Sequence, residues 1–580
     1  MTRLQARHLL RAEHGYALVL SLVILAALSV LGLTLLTLGT TEVASSANWK
    51  DYSKAFYAAD GGLESGVVGL RALLVSTPAP TGTQLATITA PTLTSPGLSF
   101  SAYSVTQLSP APYQIQIATG PYAGMKGIAT DYQIAAQVAA AGGTQSSLTQ
   151  VFQYIQVPLF QFAVFYGKGV DLEIAPGANM TLNGPIFANS NIYMAPGATL
   201  QVNSRMATAG NIYRTIKSSG VEGLNGNPQI MDDKGSYKAL NFDHVDKKNF
   251  TGSWTASQWQ AEAQSTFGGM VKDSAMGITE ITPPVPSLFN NPCNPDKQAH
   301  TLIEMPLVGD SSALTAAKLY TQADLRIVNG VATDQNGNPV TLPAGTITTT
   351  STFFDSREGQ MMAVTQVDVS KLNTAVPVSG GGSCSSGCLT NWNGMVYVAS
   401  TTNSFGPSTP CSSNKTLACP AVRLVNGANA GTTTLPTKGL TVVSQNPVYI
   451  QGDYNPGLPA TQDANAATSS STLGSRTPTA TSVNAAIATG PSNESTSGAG
   501  NGQLENDIRF LENWSGVTIN YSGSLVNLWH SQQVTQPWQN TGVYYNAPVR
   551  NWSYDTLFDT TIPPGTPKGV VMQKGRWARS

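Results

Sequence analysis

The chain has 580 residues, of which 11% are charged and 41% hydrophobic, and its formal net charge is −1. Soluble domains usually carry about 25% charged residues, so uncharged polar side chains must form much of this surface. The balanced charge excludes the basic surface that nucleic-acid binding needs, and we expect no nucleic-acid partner. The length predicts two or three domains.

The first predicted element is an apolar run from residue 16 to residue 41 that contains no charged side chain. About 20 such residues span the hydrocarbon of a bilayer as a helix. The run therefore predicts a membrane helix that includes Tyr16, Leu20, Leu28 and Leu38. Arginines at positions 3, 7 and 11 precede it and predict a cytoplasmic N-terminus with the remaining chain outside.

The helical pattern continues beyond the apolar run. Large or small apolar residues recur every three or four positions, which is one face of a helix. They are Tyr52, Phe56, Ala59, Leu63, Val67, Leu70 and Leu74. The pattern predicts one helix over 16–75, with a kink near Gly61 and Gly62, whose second half packs on a soluble domain. A secretory signal cleaved near residues 45–47 is an alternative, but its apolar core would exceed the usual 7–15 residues.

A basic leader that ends in Gly15, the apolar helix and the stretch KAFYAADGGLESG at 54–66 together resemble the N-terminus of PilX-type minor pilins. The resemblance implies that a prepilin peptidase removes residues 1–15 by cutting between Gly15 and Tyr16. It also implies that the partners are other pilin or pseudopilin subunits and the inner-membrane assembly machinery. A plain uncleaved membrane anchor is the alternative.

The sequence departs from the major-pilin pattern at Leu20, the fifth residue after the expected cut, where major pilins carry Glu. A carboxylate in the apolar phase is tolerated only when it is paired. Leu20 therefore favours a tip or initiating subunit over a repeated shaft subunit.

Residues 76–158 are predicted to form a small pilin-like β domain. A Pro/Thr-rich linker opens it, and apolar and polar residues then alternate in 113–117, 128–138 and 151–157. Such alternation is typical of antiparallel strands with one buried face. Pilins lay a sheet of this kind against the second half of their long helix.

An internal repeat of twenty residues begins after residue 160. DLEIAPGA at 171–178 recurs as NIYMAPGA at 191–198, and NIYR follows at 211–214. A period near twenty with strand-plus-turn units predicts a β-solenoid, in which stacked coils bury one another's faces.

Later strands at 325–330, 394–400, 421–427, 439–455 and 516–529 have the same character. We therefore assign 159–580 to a solenoid-like (β-helix-like) exported domain, with insertions at about 215–320 and 456–503, the second a Ser/Thr-rich loop. A separate β-sandwich is the alternative for the later strands.

Five cysteines occupy positions 293, 384, 388, 411 and 419. Their spacing does not suit zinc, which prefers two tight pairs or nearby histidines. In an exported domain disulfides are the more natural use. We predict the local pairs Cys384–Cys388 and Cys411–Cys419, with Cys293 left over, and no metal or other cofactor.

No catalytic motif of a known class is present, and the five histidines are scattered. Charged residues on or near predicted strands could nevertheless meet on one solenoid face, as in solenoid carbohydrate-active enzymes. They are Asp171, Glu173, Asp453, Glu505, Asp507 and Arg509. The alternative is that they cap turns or lie on solvated strands.

Aromatic residues are frequent in the last 70 positions, and rings with a polar tip are common both in contact surfaces and in solenoid caps.

Taken as a whole, the sequence predicts a non-enzymatic inner-membrane minor pilin that displays a β-rich domain towards a surface or carbohydrate ligand. A type II secretion pseudopilin and a membrane-tethered carbohydrate-active enzyme are the competing interpretations.

Overall fold

The computed structural model describes most of the chain. The described residues are 13–118, 120, 122–177, 179–217, 228–245, 252–282, 300–372, 392–401, 416–428, 439–455, 473–491, 503–531, 533–534 and 544–579. The predicted leader therefore lies outside the described residues except for its last three positions.

A single long helix, α1 (Glu13–Ser76), opens the structure. Its two halves have different surroundings. Residues 16–50 are exposed, whereas residues of the second half such as Leu63, Leu70 and Leu74 are buried. Gly61 and Gly62 lie within the continuous helix.

Five strands form an antiparallel sheet beneath the second half of α1. They are β1 (Leu98–Gln107), β2 (Tyr113–Gln116), β3 (Lys126–Ala140), β4 (Gln145–Pro158) and the last strand of the chain, β27 (Lys568–Arg579). Burial alternates along β3 and β4, as the sequence pattern predicts, because alternate side chains point towards the helix. The short helix α2 (Gly82–Leu85) packs on β1. This is the predicted helix-on-sheet arrangement.

The twenty-residue repeat folds into stacked coils, as predicted. Each coil contributes one short strand to each of three parallel sheets. The strands are β5 (Val164–Tyr166), β6 (Leu172–Ile174), β7 (Met180–Leu182), β8 (Ile186–Ala188), β9 (Ile192–Met194), β10 (Leu200–Val202), β11 (Met206–Thr208) and β12 (Ile212–Tyr213). Leu172 pairs with Ile192, and Met180 with Leu200, so the partners are one repeat of twenty residues apart.

The coils continue into the segment 215–320, which the sequence assigns to an insertion. Here β13 (Gln229–Met231) adds to β10 and β15 (Val271–Lys272) adds to β11, while β14 (Tyr237–Ala239) pairs with β13. The prediction of an insertion is wrong for these strands, because a longer connection between coils hides the twenty-residue period.

Helix α3 (Ala256–Phe267) packs near this end of the solenoid. Thr255 caps its first turn and Gly268, in the left-handed conformation, ends it. Trp259, Ala263 and Phe267 recur every four residues and enter the solenoid core. Two short helices follow, α4 (Ser312–Ala317) and α5 (Leu319–Gln322).

The later strands form two further sheets around the same core, each with three parallel strands and one antiparallel strand. They are β16 (Leu325–Val328), β17 (Val331–Asp334), β18 (Ile347–Asp355), β19 (Gln360–Asp368), β20 (Met395–Ala399), β21 (Cys419–Val425), β22 (Thr441–Val443) and β23 (Val448–Ile450). The strands β16, β20 and β22 are mutually parallel, as are β19, β21 and β23. Buried residues of β16, β19, β20 and β21, such as Leu325 and Val396, belong to one hydrophobic cluster with those of the repeat, so these strands return to the solenoid as predicted.

The spatial order of the coils differs from their order in the chain. The first coil strand, β5, has β8 on one side and β25 (Thr518–Asn527) on the other, and β24 (Thr481–Thr489) and β26 (Val549–Tyr554) flank β25. The strand β24 lies inside the segment 456–503, predicted to be a loop. Its small residues suit a tightly packed parallel sheet, which composition alone does not reveal.

The last strand also departs from the sequence assignment, which places all of 159–580 in the solenoid-like domain. β27 pairs with β4 over residues 568–579, so the C-terminal segment completes the pilin-like sheet. The solenoid is therefore inserted between the fourth and fifth strands of that sheet.

Candidate functional site

The exposed half of α1 is the most unusual surface of the described structure. It is long and apolar enough to cross a membrane, and no part of its most apolar window is buried. Leu20, for example, is 54% exposed, and Leu28 and Leu38 are 61% and 54% exposed. Removing such a surface from water stabilises a protein by roughly 25 cal/mol per Å². The helix is therefore a candidate membrane anchor and a candidate surface for packing with other apolar helices.

The expected peptidase cut falls at the start of this helix. Gly15 and Tyr16 both lie within α1, and Tyr16 is exposed.

The second half of α1 holds the sheet through its small residues as well as its large ones. Leu63, Val67 and Leu70 are buried, as expected for the predicted packing face, while Tyr52 and Phe56 are half-buried. Ala59, which belongs to the predicted helical face, and Ala55, which does not, are both fully buried. Small side chains allow the helix to approach the sheet closely.

An aromatic cluster joins the end of the exposed half to the last strand. Trp49 stacks on Tyr52 with ring centroids 5.5 Å apart, and Phe56 lies edge-on to Trp577 of β27 at 6.1 Å. The guanidinium of Arg579 sits 4.6 Å above the ring of Tyr52. The last strand thus contacts the helix where the helix leaves the folded part.

The charged residues that the sequence offers as a catalytic set separate into three groups. Asp171 and Asp453 accept hydrogen bonds from backbone amides of the neighbouring coil, at 2.8 Å from Asn191 and 2.7 Å from Ser482. They act as caps that connect coils. Arg509 forms an ion pair of 2.7 Å with Glu358, which lies in the turn between β18 and β19. The ion pair therefore connects the segment 504–514 to the β18–β19 hairpin.

The third group, Glu173, Glu505 and Asp507, does come together, but inside the solenoid. Glu505 is 5% exposed and accepts a hydrogen bond of 3.2 Å from the amide of Ala175. Asp507 accepts hydrogen bonds from the hydroxyl of Tyr166 at 2.8 Å and from Asn527. Burial, the dominant cause, raises the pKa of Glu505 and of Asp507 to about 7.

Glu505 and Asp507 connect the segment around residues 504–507 to the end of β6 and to β5, and Glu173 accepts a hydrogen bond of 3.0 Å from the amide of Lys217. None of these carboxyl groups lines the cleft that lies on the solenoid surface between β7, β10 and β26. Proton transfer to a bound substrate needs a carboxyl group within hydrogen-bond reach of it, and the buried location does not provide that access.

The cysteine predictions fall largely outside the described residues. Cys293, Cys384, Cys388 and Cys411 are not among them. Cys419 is buried at the start of β21 and is disulfide-bonded. Its partner lies outside the described residues, so the pairings 384–388 and 411–419 stay predictions. Among the described residues no group of three or more His, Cys, Asp or Glu is placed to hold a metal.

The C-terminal aromatic residues mostly serve the core. Trp514, Tyr521, Tyr545 and Trp552 belong to the main hydrophobic cluster. Trp552, one of the aromatic residues that the sequence offers for a contact surface or a solenoid cap, also lines the surface cleft.

A long helix with an exposed apolar half and a buried half on an antiparallel sheet is the arrangement expected of a type IV pilin-like subunit. Residues 14–64 of the 580 match the family described as PilX N-terminal. The resemblance to PilX-type minor pilins is thereby confirmed for this segment. No curated protein matches the chain.

A solved structure, the competence-associated pilin ComZ from Thermus thermophilus, aligns with 91% of this chain and 98% of its own, at 11% identity and a TM-score of 0.23. That score is too low to support an argument about fold or function.

Proposed function

We propose that the protein is a minor pilin or pilus-assembly subunit that assembles through its N-terminal helix and displays the solenoid as an adhesive or tip domain. The observation that carries the proposal is the continuity of α1. Its exposed apolar half and its sheet-bound half form one helix, and the PilX-type segment spans the junction between them.

The proposed membrane topology has the leader in the cytoplasm and the sheet and solenoid outside. The arginines of the leader support this orientation. After cleavage by a prepilin peptidase the exposed half of α1 would leave the lipid and pack against the corresponding helices of other subunits, with the inner-membrane machinery as a transient partner.

The apolar residue Leu20, in place of a carboxylate, supports a position for this subunit at the tip or the start of the filament. In a repeated shaft subunit a carboxylate at this site would be paired with a neighbour, whereas Leu20 presents only an apolar surface that is 54% exposed in the single chain. A terminal subunit contacts neighbours on one side only and does not need that pair.

We further propose that the role is not enzymatic. The buried position of Glu505 and the backbone-capping roles of Asp171 and Asp453 support this proposal. A type II secretion pseudopilus subunit is a related alternative, which the identity of the filament that contains the protein would decide.

The decisive measurement is the N-terminal mass of the protein from membranes of cells with and without a prepilin peptidase. A chain that starts at Tyr16 only when the peptidase is present supports the proposal. A Gly15→Arg variant serves as the uncleaved control, and Leu28→Asp, in the exposed half of α1, should block filament incorporation while leaving the folded part intact. Intact Met1 in both cell types would contradict the proposal.

A further inference from the structure

A cleft of about 270 Å³ lies on the outside of the solenoid, between the sheet of β7 and β10 and the strand β26. Its walls carry amide, hydroxyl, guanidinium and indole groups. They include Thr181, Asn183, Gln201, Arg550, Asn551 and Trp552.

The floor of the cleft is a ladder of outward side chains. Thr181 and Gln201 are register partners on adjacent parallel strands, which lie about 4.8 Å apart. Their strand neighbours, such as Met180 and Leu200, point into the core. Neither Thr181 nor Gln201 makes a side-chain hydrogen bond within the described residues, so both are available to a ligand.

One wall of the cleft is formed by β26, where Trp552 and Arg550 are held by contacts with neighbouring residues. Trp552 is 6% exposed, its ring lies edge-on to Tyr521 at 5.9 Å, and its carbonyl accepts a 3.2 Å hydrogen bond from Asn183. Its buried indole Nε1 has no hydrogen-bond partner in the described structure. Arg550 donates from Nη2 to the carbonyl of Glu505 at 2.7 Å, while its Nε is likewise without a partner there. Both atoms are buried, so a ligand in the cleft would instead meet the exposed side chains of Thr181 and Asn551 and the half-buried Gln201.

The chemistry of the lining selects the ligand class. Most small-molecule sites are predominantly apolar, whereas this cleft presents side-chain amides and hydroxyls that both donate and accept hydrogen bonds. A ligand with many hydroxyl groups has the same dual character. The lining contains no carboxylate to attract a cation and only one guanidinium, too few for a nucleic-acid backbone.

We propose that this cleft binds a saccharide unit with free hydroxyl or N-acetyl groups, presented by a neutral glycan. The inference rests on the proposed display function, since a solenoid held outside the membrane would meet such a glycan on a surface. It deepens that function by naming the ligand class and the residues that recognise it.

The test uses the full-length protein in a detergent that has no sugar headgroup. Binding is measured by calorimetry to four neutral tetrasaccharides, namely oligomers of N-acetylglucosamine, glucose in β-1,4 linkage, glucose in α-1,4 linkage and mannose. The T181A/Q201A variant removes two outward side chains without opening the core. A matched Q114A/T352A variant removes the same side chains from exposed positions on β2 and β18.

We expect at least one tetrasaccharide to bind, with affinity reduced roughly tenfold in T181A/Q201A because two hydrogen bonds are lost. The matched variant should bind as the wild type does, and Thr181→Trp, which fills the cleft, should abolish binding. Absence of binding to all four sugars, or equal affinity in T181A/Q201A, would overturn the proposal. Filament incorporation is read separately, so failure here is distinguishable from failure of the pilin assignment.

Discussion

The hydroxyl of Tyr103 in β1 donates a 3.0 Å hydrogen bond to the backbone carbonyl of Gly62 in the middle of α1. This contact shows how closely the sheet approaches the helix. A Cβ at Gly62 would lie 2.7 Å from the ring of Phe100, and one at Gly66 would lie 2.6 Å from a methyl group of Ile134. The glycines cost the helix about 1 kcal/mol each, and the contact they allow offsets that cost.

We expect Gly66→Ala to destabilise the helix–sheet unit by about 1–3 kcal/mol, because the added methyl group overpacks the contact with Ile134. Gly61→Ala is the matched control, since a Cβ there meets nothing within 4 Å. That change should stabilise the same helix by up to about 1 kcal/mol. Hydrogen exchange of the β3 amides in the full chain measures both effects. Equal protection in the two variants would refute the role of close approach.

A second prediction concerns the pH dependence of solenoid stability. Burial raises the pKa of Glu505 and Asp507 from 4.5 and 3.8 to about 7. Between about pH 4 and pH 7 the folded chain holds protons that the unfolded chain has released, so stability is greatest at the acidic end and falls as pH rises.

Each carboxyl group contributes about 2–3 kcal/mol to the loss between pH 5 and pH 8, so the two together contribute about 5 kcal/mol. The variant E505Q/D507N carries neutral side chains of similar shape and should lose much of this pH dependence. Denaturant unfolding of the solenoid at several pH values, followed by tryptophan fluorescence, measures the slope. The prediction fails if wild type and variant lose stability in parallel.

A third prediction concerns the ion pair between Arg509 and Glu358, whose side chains are 16% and 8% exposed. Arg509→Ala leaves a buried carboxylate without this cation and should cost about 3–5 kcal/mol. Replacing both residues, as R509M/E358Q, removes the charge on each side and should cost clearly less. Chemical denaturation of the two variants gives the comparison, and equal losses would mean that the pair carries no specific coupling.

The fold class follows from short-range patterns that survive in the sequence. The helix face that contains Leu63 and Leu70 shows the helical period in the sequence. The repeat at 171–213 has a period of twenty residues, which is the length of one solenoid coil. Both patterns require only neighbours in the chain, so sequence inspection reveals them.

The remaining features depend on contacts between distant residues. β25 stacks on β5 although about 360 residues separate their partners Leu525 and Val164, and β27 pairs with β4 across a similar distance. Periodicity does not encode such pairings. The cleft also escapes sequence reasoning, because Trp552 and Gln201 become neighbours only when β26 lies beside the early coils.

A fourth prediction concerns β27, the last strand, which pairs with β4 in the pilin-like sheet. Deleting residues 568–580 removes β27 and exposes β4 as a sheet edge, together with the apolar surface that Val570 and Val571 cover. We expect this deletion, and Val570→Asp, to make the sheet protease-sensitive and to reduce the amount of protein in membranes. Arg576→Ala, at an exposed position of the same strand, is the control and should change neither. Wild-type protease resistance of the deleted chain would show that the sheet does not need β27.

The disulfide of Cys419 provides a final prediction, because the sequence pairs this residue with Cys411 and the structure shows it buried and bonded. Removing a native disulfide from an exported domain typically costs about 2–5 kcal/mol. Peptide mapping without reduction should recover a peptide that links Cys411 to Cys419, and Cys411→Ser should lower the unfolding midpoint as much as Cys419→Ser does. Cys293→Ser, the residue left over in the predicted pairing, should leave the midpoint unchanged. If Cys293→Ser instead reproduces the loss, the partner of Cys419 is Cys293 and the local pairing is wrong.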